Sequence, residues 1–255
     1  MLLAIDIGNT NVHLGIKNGD GWKLSWRART VENKMPDEYA VLVRNFLDSA
    51  DVGYGAVTGV IISSVVPPLT LAFTELSERY LKIKPLVVSH KIDTGVKVDV
   101  DQPEQAGADR IVNAAAIVAR YQYPAIVIDF GTATTFDVIS GDGALIGVAI
   151  APGVGVAHDA LVSRAARLHK VDLTPPPSPI GKNTIHAMQS GIFWGYVGLV
   201  EGLVRRIKDD MPDDDITVYA TGGLAVIFSE HTTVIDQIVP ELTLDGLDAI
   251  YGRNK

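Results

Sequence analysis

Twice in this 255-residue chain an apolar run ends in Asp, one apolar residue, Gly and then hydroxyl or amide side chains: A-I-D-I-G-N-T over residues 4–10 and A-I-V-I-D-F-G-T over residues 125–132. A carboxylate at the end of a buried strand is costly unless a cation meets it. The glycine two residues on permits φ > 0 and close approach of a phosphate to the backbone. Asn9, Thr10, Asn11, Thr132, Thr134 and Thr135 add hydrogen-bond donors, and an Asp holding a hydrated metal beside such a turn suits nucleotide phosphates. A single D-x-G-[NT] reads equally well as a hairpin turn, since Asp, Gly and Asn are common turn residues. Repetition favours the site. A shift of 123 positions superposes Ile5 on Ile128, Asp6 on Asp129 and Gly8 on Gly131. Apolar residues then resume in both copies (Val12, Leu14, Ile16; Phe136, Val138, Ile139), followed by Gly/Asp turns at 18–21 and 141–143.

Strands over 2–7 and 126–130 must carry these turns. Around them the pattern predicts a third strand at 23–30 and a helix at 36–49 with Tyr39, Leu42, Val43, Phe46 and Leu47 on one stripe. A strand at 57–63, a helix at 68–80, a strand at 85–88 and a helix at 103–121 entered through Pro103 and Glu104 follow. From Ala125 the pattern restarts with a hairpin, a Gly/Pro-rich loop (147–155), helices from His158 and from Thr184, a strand (216–220), the turn Thr221-Gly222-Gly223 and a last helix (247–251). The Pro-rich stretch 174–179 reads as a rigid connector. Two lobes are expected, residues 1–117 and 118–255.

Composition bounds the chemistry. A hydrophobic content of 47% supports sizeable cores, and the absence of Cys excludes disulfides, thiolate nucleophiles and cysteine zinc sites. A net charge of -8 argues against a nucleic-acid or anionic-membrane surface. No signal peptide or membrane-crossing apolar run is read, and a cytoplasmic location is expected. The acidic run 209–215 and the basic Arg205, Arg206 and Lys208 read as a solvated loop and a solvated helix face. Neither G-x-x-x-x-G-K-[ST] nor a helix-opening G-x-G-x-x-G is present, and H-E-x-x-H and G-x-S-x-G are absent too.

Six motifs occur in order: D-I-G-N-T at Asp6, S-V-V-P at Ser64, G-A-D-R at Gly107, D-F-G-T-A-T-T at Asp129, I-G-K-N-T at Ile180 and T-G-G at Thr221. Together they resemble the type III pantothenate kinases over nearly the whole chain; the first motif alone is similar to the acetate and sugar kinase, Hsp70 and actin superfamily. The resemblance implies an α/β, two-lobed, duplicated ribonuclease H-like (actin-like ATPase) fold with ATP held between the lobes. It also implies ATP-dependent phosphorylation of the primary hydroxyl of pantothenate, the first step of coenzyme A synthesis.

Carried over residue by residue, Asp6, Ile7, Gly8, Asn9, Thr10, Asn11, Val12 and His13 correspond to the ATP phosphate-binding segment, with Thr132 and the 221–223 turn as partners from the second lobe, and Asp6 facing magnesium. Val100, Gly107, Ala108, Asp109 and Arg110 correspond to substrate-binding positions, with Asp109 the proton acceptor. Asp129 matches a monovalent-cation site for potassium or ammonium. Thr184 matches a substrate contact supplied by a neighbouring subunit, which implies a homodimer. Blander readings stand beside these: a surface ion pair for Asp109 and Arg110, a second magnesium carboxylate for Asp129, a helix N-cap for Thr184. The chain departs from the family at Val100, where relatives often have Tyr, at Val148, where Gly is common, and at Leu168-His169, where Leu-Pro is common. Val cannot donate a hydrogen bond, so a same-fold kinase for another small hydroxylated metabolite is the runner-up. A non-catalytic nucleotide-binding regulator is the alternative from another class, some relatives having first been described as accessory factors for transcription.

Overall fold

A computed structural model describes residues 1–255 apart from Asp20, His90 and Ala166; the expected turn at 18–21 contains Asp20 and so lies partly outside the described residues. The chain divides into two compact units, Met1–Tyr121 with Glu241–Lys255, and Gln122–Pro240. The first unit holds β1 (Leu2–Ile7), β2 (Asn11–Asn18), β3 (Gly21–Arg29), α1 (Pro36–Ser49), β4 (Gly59–Ser64), α2 (Pro67–Leu76), β5 (Leu86–Val87), β6 (Lys97–Val98) and α3 (Ala108–Arg120). The second holds β7 (Ala125–Phe130), β8 (Ala133–Ile139), β9 (Ala144–Pro152), α4 (Val154–Arg164), α5 (Thr184–Asp210), β10 (Thr217–Gly222), α6 (Ala225–Ser229) and β11 (Gln237–Ile238); the chain then returns to the first unit as α7 (Leu242–Arg253).

One topology is used twice. The first sheet runs β3-β2-β1-β4-β5 and the second unit's strands run β9-β8-β7-β10-β11. In each, the central strand is antiparallel to the strand after it and parallel to a later one: β1 with β2 and β4, β7 with β8 and β10. Strands covered on both faces read as continuous apolar runs, and β1 and β7 share one burial pattern in which the Asp alone is less than fully buried. The repeat slips in its second strand. Asp6 pairs His13 but Asp129 pairs Thr135, so the second turn is one residue shorter and the 123-residue shift holds only through the glycine.

Side chains alternate across β1. Leu3, Ile5 and Ile7 join Val12, Leu14 and Ile16 beneath Tyr39, Val43 and Leu47 of α1 and Phe73 of α2. Leu2 and Ala4, with Ile61 of β4, face Val112 and Ala115 of α3 and Leu244, Leu247 and Ile250 of α7. In the second unit Ile126, Ile128, Phe130 and Phe136 pack on Phe193, Tyr196, Val197, Val200 and Val204 of α5 and Phe228 of α6.

Several expectations are corrected. The division at 117/118 moves to Tyr121/Gln122, and residues 241–255 belong to the first unit. The reason is α7. Besides its apolar stripe, Asp245 accepts from Trp22 Nε1 (2.9 Å) and the Tyr121 hydroxyl (3.0 Å), Asp248 from Lys17 Nζ (2.5 Å), and Arg120 pairs with both carboxylates. That helix spans twelve residues, well beyond the expected 247–251. The helix expected over 103–121 is a 3-10 turn (Pro103–Gln105) followed by α3, because Gly107 takes an extended conformation (φ -59°, ψ 142°). The Gly/Pro-rich stretch 147–155 is mostly strand, since Gly147 through Pro152 pair with β8, and α4 starts at Val154 rather than His158. The expected 68–80 helix ends as α at Leu76 and closes in a π turn, Ser77–Leu81.

Gly246 lets α3 and α7 touch backbone to backbone, since a methyl there would land on the Val112 carbonyl. Gly246→Ala gains about 1 kcal/mol of helix propensity, but the overpacking meets a backbone atom and costs ~3 kcal/mol. Urea unfolding is expected to show a net loss of about 2 kcal/mol; an unchanged midpoint would contradict the close crossing.

Candidate active site

The first turn is pinned by main-chain bonds and one threonine. Gly8 N–H donates to Asn11 O (3.0 Å), Thr30 N–H to Thr10 O (2.9 Å) and the Thr30 hydroxyl to Gly8 O (2.6 Å). Asn9, Thr10 and Asn11 are left exposed at the tip, while Ile7 and Val12 on either side are core residues. Of the eight residues from Asp6 to His13, the turn itself therefore presents Gly8 to Asn11.

Residues opposite one another in register share a face, so Asp6, His13 and Arg27 line up with Ser63 across four strands. His13 is buried, its Nε2 lying 3.5 Å from Glu241 Oε2, and Glu241 accepts from the Ser25 hydroxyl (3.1 Å). Burial, reinforced by the positive charge of Arg27, pushes the His13 pKa down to about 4. The Glu241 carboxylate pulls the other way, but it is 37% exposed and screened by water, so burial prevails.

The G-A-D-R segment reaches the same end of the sheet. Val65 N–H donates to Ile7 O (3.0 Å), and Val65 in turn lies 4.0 Å from where a Gly107 Cβ would stand. Gly107 caps α3 and Asp109 is its second residue, where an acidic group suits the helix dipole. The Asp109 carboxylate bends back over the helix start, accepting from Arg110 N–H (2.9 Å) and filling the space a side chain at Gly107 would need. Asp109 and Arg110 are both half-buried. The first unit thus gathers Asp6, the Gly8 turn, Ser63 and the start of α3.

The second turn has its own backing. Gly131 N–H donates to Ala133 O (3.1 Å) and Gly153 N–H to Thr132 O (3.0 Å); a side chain at Gly153 would strike the Gly131 and Thr132 carbonyls. Thr132 is exposed at the tip. Asp129 has Thr135 and Thr221 on either side on one face, both buried, and its Oδ1 lies 2.7 Å from the Cβ position of Gly222, whose φ of +91° suits glycine alone. Thr221 and Gly222 end β10 instead of forming the expected turn. The Tyr196 hydroxyl donates to Pro152 O and meets Thr134 Oγ1, each at 2.6 Å, which fixes the floor of the turn.

Two site residues stand on other elements. Val100 is half-buried in the segment after β6, and Thr184 is exposed as the first residue of α5. Thr184 is not the N-cap; Asn183 is, its Oδ1 accepting His186 N–H (2.9 Å). Sequence reasoning missed Gly153, absorbed in a loop, and Ser63, one residue before the motif begun at Ser64. The signal for Ser63 is a hydroxyl inside the buried run G-V-I-I-S-S.

Among the described residues no three His, Asp or Glu side chains group to hold a metal, and no helix is long and apolar enough to cross a membrane. A single carboxylate is what magnesium takes when phosphates and water complete its shell.

Two sheets of one strand order, each opening on a glycine-backed turn beside a carboxylate, define the actin-like ATPase fold. Solved structures agree at the level of the fold. A protein described as a Baf family transcriptional activator from Campylobacter jejuni superposes with a TM-score of 0.61 at 19% identity, over 99% of this chain and 98% of that one. The activator of 2-hydroxyisocaproyl-CoA dehydratase from Clostridium difficile, solved with ADPNP, gives 0.55 at 13%, over 98% and 92%. The sequence profile of type III pantothenate kinase matches residues 2–206. Relatives named type III pantothenate kinase are 46% identical in an Exiguobacterium species and 48% identical in a Roseiflexus species, each aligned over all of both chains. The chain belongs to the type III pantothenate kinase family.

His13 makes one property of the site measurable without substrate. Its folded pKa lies below the unfolded value of 6.5, so its contribution to stability is complete above pH 6.5 and is lost as pH falls toward about 4. The slope from this group is at most about 1.4 kcal/mol per pH unit. Urea unfolding between pH 7 and pH 4 should show a shallower decline for His13→Gln than for wild type; parallel profiles would contradict a buried neutral imidazole.

Proposed function

We infer that this chain transfers the γ-phosphoryl group of ATP to the primary hydroxyl of pantothenate, giving 4'-phosphopantothenate at the start of coenzyme A synthesis, and that it does so as a cytoplasmic homodimer. The observation that carries this reading is Asp109, a half-buried carboxylate at the first turn of α3, set beside the end of β1 that bears Asp6 and the Gly8 turn.

Phosphoryl transfer asks the protein mainly for positioning and for electrostatic stabilisation. Asp109 takes the hydroxyl proton as the oxygen attacks, which needs hydrogen-bond reach more than a strong base. Arg110, next in the helix, supplies a guanidinium to the substrate. Gly107 leaves room for the Asp109 carboxylate to bend back over the helix start, Ala108 keeps the substrate side of that turn small, and Val100 gives the substrate an apolar wall where a tyrosine would have given a hydrogen bond. Asn9, Thr10 and Asn11, exposed on the first turn, and Thr132 on the second offer donors to ATP.

The residues fit the metals the family implies. Asp6 would hold magnesium, beside the buried hydroxyl of Ser63. Asp129, with the Thr135 and Thr221 hydroxyls on its face, offers the oxygen ligands that potassium or ammonium takes. Bound there, the ions would neutralise phosphate charge and fix the turns.

A coupled ADP-release assay with pantothenate and MgATP is expected to give turnover in potassium and little in sodium. Asp109→Asn should lower kcat by about 100-fold or more while the fold and ATP binding persist. No turnover in either salt sends the search to other hydroxylated metabolites, with Val100 as the determinant. Turnover unchanged in Asp109→Asn contradicts its role as base. If Thr184 serves the neighbouring subunit's site, mixing inactive Asp109→Asn with impaired Thr184→Ala protein should restore activity above the sum of the two; strict additivity would contradict the shared site.

A further inference from the structure

Ser63 is a buried group that the mechanism above leaves without a task. It is fully buried in β4, and its Oγ has no hydrogen-bond partner. Its neighbour Ser64, by contrast, donates to Val66 O (3.2 Å) and accepts from Val66 N–H (3.1 Å). Leaving a buried hydroxyl unsatisfied costs about 1–3 kcal/mol, whereas an alanine of nearly the same shape would cost nothing of the kind. Nothing in local packing asks for a hydroxyl. Ile61, two residues earlier on the same face, sits in the apolar cluster with Val112 and Ala115 of α3.

Its register gives the hydroxyl a role. Ser63 is the parallel partner of Asp6, so the two side chains leave adjacent strands on one face. Just past the end of β4, Val65 donates its N–H to Ile7 O and lies 4.0 Å from the Cβ position of Gly107, so the end of β4 that carries the hydroxyl adjoins both the end of β1 bearing Asp6 and the start of α3. No other residue of β4 combines that placement with a donor that the protein itself does not engage.

We propose that Ser63 is a positioning residue for the metal-nucleotide: its Oγ–H, which makes no hydrogen bond in this structure, turns to the Asp6 carboxylate when magnesium binds and holds that carboxylate's other oxygen toward the ion of MgATP. The inference rests on reading Asp6 as the metal carboxylate. Hydrogen bonds from the surrounding protein to a ligating carboxylate orient it, and their loss typically weakens metal affinity by 10–100-fold. The row across the sheet then has distinct tasks at its centre: Asp6 meets the metal and Ser63 aims Asp6.

Three proteins, wild type, Ser63→Ala and Asp6→Asn, distinguish the inference from the reading beneath it. Calorimetric titration of ATP at increasing magnesium gives the metal concentration that half-saturates binding, and thermal unfolding without ligand gives the intrinsic stability. Ser63→Ala is expected to need roughly 10-fold or more magnesium, to bind metal-free ATP as wild type does, and to unfold at the same or a higher temperature without ligand. A wild-type magnesium requirement in Ser63→Ala overturns the proposal, and so does a lower ligand-free unfolding temperature, which would make the hydroxyl structural. A wild-type requirement in Asp6→Asn overturns the reading of Asp6 itself.

Discussion

A carboxylate at the next-to-last position of a strand buried on both faces is the constraint around which both units are arranged. At Asp6 and at Asp129 the run of Leu, Ile and Val that forms the centre of a sheet ends in a group that is expensive to desolvate. The arrangement around each is the same in kind. A glycine two residues on lets the chain turn tightly, an antiparallel strand returns beside it, and a parallel strand places a hydroxyl residue opposite: Ser63 in one case, Thr221 in the other. The surroundings then diverge. Asp6 shares its face with an imidazole, a guanidinium and a buried serine, while Asp129 lies among threonines and against a glycine of positive φ. One strand-turn-strand unit thus presents two chemistries, set by which side chains the neighbouring strands bring into register.

The same logic explains why the last segment returns to the first unit. The face of β1 that carries Asp6 also carries Leu2 and Ala4, and this apolar strip is covered by α3 and α7 together. α3 is held at its start by Gly107 and at its end by Arg120 and Tyr121, both of which bond to carboxylates of α7. The segment that presents Asp109 is therefore fixed at both ends by contacts that are not themselves chemical. Burial supplies most of the stabilisation at about 25 cal/mol per Å² of apolar surface; the partly buried ion pairs, whose gain is offset by desolvation, contribute direction more than energy.

Much of this was legible in the sequence, and the reasons are local. Strands with uninterrupted apolar runs, such as β1, and helices with a proline start and a clean stripe, such as α1, are set by their own residues, and β1 and α1 fall within the bounds their patterns predict. The two turns announced themselves by Asp and Gly at fixed spacing. What could not be read depended on partners distant in the chain. β9 looks like a Gly/Pro loop until β8 supplies its hydrogen bonds, α7 looks short until α3 and β1 cover its face, and Gly107 breaks a helical pattern because the Asp109 carboxylate needs the space. Ser63 was invisible for the same reason, since a serine in an apolar run is unremarkable until its parallel partner is known to be Asp6.

The division of labour between the two carboxylates is the central claim, and it is tested most directly by calorimetric titration of MgATP into wild type, Asp6→Asn and Asp129→Asn, each in potassium and in sodium. Wild type should bind more tightly in potassium. Asp129→Asn should bind alike in the two salts, and Asp6→Asn should bind weakly yet still respond to potassium. If both variants lose the potassium response together, or neither does, the two copies of the turn are not specialised as described.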